Sequence, residues 1–243
     1  MWLLAPVNDY LDALTSILPG ATWRRALIAI LGAAVSWFIY VPIHELAHAF
    51  GCIATGGEVT RLEIDAIYGA AALKHIFPFV AVGSDYAGQL TGFDTGGSDL
   101  VYLATDFAPF LLTIFVGVPM LRSVPRIGRR DWAAFVLGAA LPIAYAPWIS
   151  LLGDYYEMGS ILVSRWAAPL MGQPVERWRS DDVFRLVETL AADGASPADW
   201  GIVAAAVMVG AALAVATYSA GALWTTALYI LRNGSVSGAN TSV

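Results

Sequence analysis

Residues 37–57 read Trp-Phe-Ile-Tyr-Val-Pro-Ile-His-Glu-Leu-Ala-His-Ala-Phe-Gly-Cys-Ile-Ala-Thr-Gly-Gly. The stretch predicts the second half of a membrane-spanning helix with His44-Glu45-Leu46-Ala47-His48 embedded in it. Residues four apart share a helix face, so His44 and His48 can grip one metal ion, most simply Zn2+. Glu45, next to the first ligand, is then placed as the general base that accepts a proton from water. An ionisable residue inside an apolar span is costly and marks function by default. The chain has only 3 His, and two of them stand at this spacing. The competing reading is a pair of helix-packing histidines.

Composition fits that setting. The 243 residues are 58% hydrophobic and 13% charged, with a mean hydropathy of +0.65. Soluble domains carry about 25% charged residues, so the profile is that of an integral membrane protein with the lipid bilayer as partner. A net charge of −6 argues against nucleic acid as a partner. The single cysteine, Cys52, excludes an intramolecular disulfide and reads as a packing residue. The N-terminus lacks an early basic region before its apolar stretch, so no cleavable signal peptide is expected.

The chain reads as one membrane domain, 1–243, all-α and polytopic, with about four transmembrane helices. Residues 1–20 predict an interfacial amphipathic helix, with Val7, Leu11, Leu14 and Leu18 on one face and Asp9 and Asp12 solvated. Residues 24–57 form the span carrying the motif, ended by Gly56-Gly57. Over 58–100 no full span is expected. Glu58–Ile64 alternates like a half-buried strand, and Leu73–Val82 is a second strand or a re-entrant segment. The loop that follows holds Asp94-Thr95-Gly96, a triplet of soluble aspartic proteases, but without a second copy or an all-β pattern.

A second span covers 101–121, broken by Asp106, Pro109 and Pro119. A third span with its extension covers 132–172, bent at Pro142 and Pro147. Residues 180–193 predict an amphipathic helix capped by Ser180, with Asp181 and Asp182 in its first turn. A last span, 197–232, opens at Ser196-Pro197 and carries the small-residue row Ala206, Gly210 and Ala214. The tail, 233–243, has a disordered composition.

Arg122, Arg126, Arg129 and Arg130 place the connector 122–131 in the cytoplasm. Arg24-Arg25 and Arg232 then put both termini there too, in a cell membrane expected to be bacterial or archaeal. The same arrangement makes a geometric prediction. His44 lies about 19 residues past Arg25 and Asp154 about 24 past Arg130, which sets them at similar depth at 1.5 Å per residue. Asp154 is therefore the first choice for the third ligand that a catalytic zinc needs. Glu157, one turn later, is an alternative or an orienting group, and Asp106 is third. His75 sits poorly in the loop region.

The motif, the small residues after it and Gly56–Ile64 resemble site-2 protease-like (M50) intramembrane metalloproteases. The resemblance implies zinc held by His44, His48 and Asp154, Glu45 as general base, and a β-hairpin after the first span. It implies a membrane protein substrate cut in or near its transmembrane segment, with Glu58–Ile64 pairing to the unwound chain. Asp154 is followed by Tyr155 where the family carries Gly, and Asp106 stands near the family's Asn. Substrate-binding residues are not legible. The alternative is a non-catalytic membrane subunit with a structural or vestigial metal; a metal transporter is a third reading. No Gly-x-Gly-Asp or Gly-x-Ser-Gly protease motif is present.

Overall fold

The computed structural model describes residues 2–20 and 23–237. It is mostly helical, with a small three-stranded sheet and three helices long and apolar enough to cross a membrane. These are Trp23–Ala54, Asp99–Arg126 and Pro197–Leu231. The chain divides into two compact units, residues 1–37, 111–146 and 216–243 in one and residues 38–110 and 147–215 in the other.

In the first unit, α1 (Ala5–Ile17) buries Pro6, Ala13 and Ile17. The expected polarity holds only in part: Asp12 is exposed, as expected, but the apolar face is not buried as a stripe. Val7 and Leu11 are about half exposed, while Asp9 points inward to Arg122 Nε (3.2 Å) and the Tyr218 hydroxyl (3.0 Å). Burial raises the Asp9 carboxyl above its ordinary range, and the Arg122 guanidinium opposes that shift. Asp9 is therefore not part of a solvated face.

Helix α2 (Trp23–Ala54) runs unbroken through Pro42 and the motif, and Gly56 in the left-handed region ends it. In the second unit, β1 (Glu58–Ile64) leads through α3 (Ala70–Ile76) to β2 (Val80–Val82), and β3 (Gly88–Asp94) follows. The expected hairpin is instead a sheet of order β2-β1-β3. β1 and β2 are parallel because α3 supplies the crossover that parallel strands require, whereas β1 and β3 are antiparallel. The first part of the apolar run 73–82 is thus helix and its end is strand. β1 occupies the centre, with both sides paired over Leu62–Ile64. The sheet rests on α2 through Ala49, Leu62, Ile64, Ala70 and Val80.

The second long helical segment begins as α4 (Asp99–Phe107), capped by Ser98, and passes through a 3-10 turn at Pro109 and a π segment at Thr113–Gly117. It ends with α5 (Val118–Ser123) and a 3-10 turn. The expected third span is discontinuous: α6 (Arg130–Ala144), the short α7 (Ala146–Ile149), a turn, then α8 (Asp154–Met171). Pro147 and the Gly153 turn account for the break, whereas Pro142 is accommodated inside α6.

Helix α9 (Val183–Ala192) is capped by Asp182, whose carboxylate accepts from the amides of Phe184 and Arg185. The cap is Asp182 and not Ser180, which turns back on Asp182. α10 (Pro197–Ser237) opens as expected at Ser196, which exchanges hydrogen bonds with Asp199. It continues past Asn233, where a tail was expected, and residues 238–243 lie outside the described residues. Ala206, Gly210 and Ala214 do pack: a Cβ at Gly210 would strike the Tyr155 carbonyl, and Ala206 and Ala214 are fully buried.

Candidate metal centre

Helical periodicity aligns Tyr40, His44 and His48 at successive i, i+4 positions of α2. The two imidazoles turn their Nε2 atoms toward each other, 3.2 Å apart. The Nδ1–H of His48 donates to the Thr105 carbonyl at 2.9 Å, in α4. Nδ1 of His44 lies 2.7 Å from the Tyr40 hydroxyl. Each outer nitrogen is therefore held by a neighbour, which fixes the ring and leaves Nε2 as the donor to a metal. Phe110 stands edge-on to His44 at 5.5 Å and to Tyr155 at 4.5 Å, giving the site an aromatic wall.

Asp154, the first residue of α8, brings its carboxylate to the same point. Oδ2 is 3.5 Å from His44 Nε2 and Oδ1 is 3.7 Å from His48 Nε2. The turn before it is tied by the Tyr155 and Gly153 amides to the Ser150 carbonyl, both at 3.1 Å. His44, His48 and Asp154 offer ligand atoms that all lie within 4.8 Å of one another. Tetrahedral donors about 2.0 Å from zinc are about 3.3 Å apart; the two imidazole nitrogens stand at 3.2 Å and each has one Asp154 oxygen at 3.5 or 3.7 Å, a donor set suited to such an ion. Three protein donors leave one position open.

Glu45, Glu157 and Asp106 line the same cavity, of about 830 Å³, without joining that donor group. Glu157 accepts a hydrogen bond from the Tyr102 hydroxyl, and Asp106 is buried. Of the alternatives for the third ligand, Asp154 is the one brought to the histidines. His75 is exposed near the end of α3, and Cys52 packs fully buried against the backbone of Glu58 and Asp94. Asp94 serves a turn, accepting from the Gly96 amide at 2.7 Å.

Two features escape a reading by motif. Gly88, the first residue of β3, lies so close to Glu45 that a Cβ there would collide with the Glu45 side chain. β3 and the residue pair before it are fastened by Gln89 to Asp181 (2.7 Å) and Tyr86 to Asp182 (3.2 Å). Tyr40, four residues before His44, had a visible signal in its helical spacing. The Thr105 carbonyl had none, since a backbone acceptor carries no residue-type signature.

Comparison with known proteins returns no matching family model, no matching curated protein and no matching solved structure.

Proposed function

We propose that this chain is a membrane-embedded zinc endopeptidase that hydrolyses a peptide bond in or near the transmembrane segment of a membrane protein substrate. The observation that carries the reading is the convergence of His44, His48 and Asp154 beside Glu45 in one cavity. His44, His48 and Asp154 would hold the ion. When bound, zinc acidifies water at its open position and polarises a neighbouring carbonyl. Glu45 accepts the proton of the attacking water and delivers it to the departing amine, so the peptide C–N bond breaks as the new C–O bond forms. Tyr40 and Thr105 hold the imidazoles in orientation. β3, an outer strand of the sheet that borders the cavity, offers its edge to an extended substrate in place of the central β1.

The same reading gives four crossings, with the broken segment from α6 to α8 as the third, and both termini in the cytoplasm of a bacterial or archaeal cell. The arginines of 122–130 support that orientation. Alkaline phosphatase fused after Thr95 should be active and fused after Ser123 inactive; the reverse pattern would overturn the orientation.

The test is a Glu45→Gln variant compared with wild type for bound zinc and for new N-termini in membranes incubated with each. Zinc retained with cleavage abolished is expected. Full cleavage by the variant rules the mechanism out. Zinc-loaded wild type that generates no new termini would instead favour a non-catalytic subunit.

A further inference from the structure

The cavity holds a second set of charges that hydrolysis leaves unused. Asp106 is 4% exposed, lines the cavity, and its Oδ2 is buried with no hydrogen-bond partner among the described residues. Glu157 is 7% exposed and satisfied on one oxygen by Tyr102. The two carboxyl groups interact electrostatically with Asp154 and Asp181. Arg179 acts on Glu157 electrostatically, but its hydrogen bonds go to Asp99 at 2.8 Å and to Ser164 at 3.1 Å. Arg185 is the other arginine in the lining, and it acts on Asp182. A buried carboxylate oxygen without a donor is an acceptor awaiting one.

We propose that Asp106 and Glu157 form a subsite for a cationic side chain, the lysine ammonium or arginine guanidinium of a substrate polypeptide. The subsite adjoins the metal centre on both sides. Asp106 follows Thr105, whose carbonyl holds His48, and Glu157 lies one helical turn beyond Asp154, about 6 Å away along the same face. Among the described residues the one group of three donors at ligand spacing is the triad, and Asp106 and Glu157 are not in it. An ammonium carries three hydrogens and a guanidinium five, so either can donate to both carboxylates. A cationic group there supplies a donor to the unpartnered Asp106 oxygen, whereas an apolar group leaves that oxygen buried and unsatisfied, which sets the discrimination.

This inference rests on the hydrolytic metal centre proposed above, and the experiment separates the two. Full-length protein loaded with Co2+ is titrated with lysine hydroxamate and with norleucine hydroxamate, which share a metal-binding head and differ in the terminal charge. Absorption of the Co2+ reports binding. Lysine hydroxamate is expected to bind at least tenfold more tightly, with the ratio falling toward one in Asp106→Asn and decreasing in Glu157→Gln. Equal affinities in wild type would overturn the subsite alone, as would a preference that persists in both variants. Protein that takes up no Co2+ and binds neither probe would overturn the metal centre and the subsite together.

Discussion

His48 donates its Nδ1–H to the carbonyl of Thr105 at 2.9 Å, which joins the helix carrying the motif to the helix that follows the sheet. Its neighbour His44 has Tyr40 in the equivalent place, at 2.7 Å. One imidazole is thus oriented by backbone that no substitution can remove, and the other by a phenol that can be deleted.

Tyr40→Phe should therefore weaken zinc binding about tenfold or more, by releasing the His44 ring and its tautomer. Competition with a chromophoric chelator measures it. Wild-type affinity in this variant would mean that the contact does not orient the ligand.

Gly88→Ala should abolish most cleavage and spare the metal, because the added methyl group must displace the Glu45 side chain or the start of β3. The three atoms nearest such a methyl group all belong to Glu45 and none to the triad. Loss of zinc together with activity would place Gly88 in support of the fold rather than of the base.

Gly210→Ala should lower stability by about 1–3 kcal/mol, since its Cβ would enter the Tyr155 carbonyl on α8. Gly201→Ala, a helical position with open space, is the control and should be neutral or slightly stabilising. Thermal melting in detergent distinguishes them.

Asp182→Ala should cost about 1 kcal/mol through loss of the α9 cap. The amide of Arg185 and its companions hold the Asp182 carboxyl below its ordinary value. A depressed carboxylate adds stability that is present above its unfolded value near ~4 and is lost as pH falls through the folded value. Wild type should lose this increment on acidification below about pH 4, and the variant should not. Parallel acid melts of the two proteins would refute the capping account.

Sequence carried the centre of this site further than its surroundings. The i, i+4 spacing placed His44 and His48 together, and counting residues from two arginine clusters brought Asp154 to their level. The Ser196-Pro197 opening and the Ala206, Gly210, Ala214 row followed from local rules that operate within one helix. Three features depended on partners distant in sequence. Asp9 turns inward because Arg122 and Tyr218 wait there, which no amphipathic pattern over 6–18 can register. β2 pairs parallel because α3 folds out of an apolar run that reads equally well as strand. The break between α6 and α8 falls in a stretch, 145–153, that carries no charged residue, so composition alone reads it as continuous.

The most direct test of the account is the metal content of the purified full-length protein, alongside His44→Ala and Asp154→Ala. The account predicts one equivalent of zinc in wild type and its loss in both variants, since each removes one of three donors around a single point. A well-folded wild type that binds no zinc when offered it, or an Asp154→Ala variant that keeps the full equivalent, would contradict it.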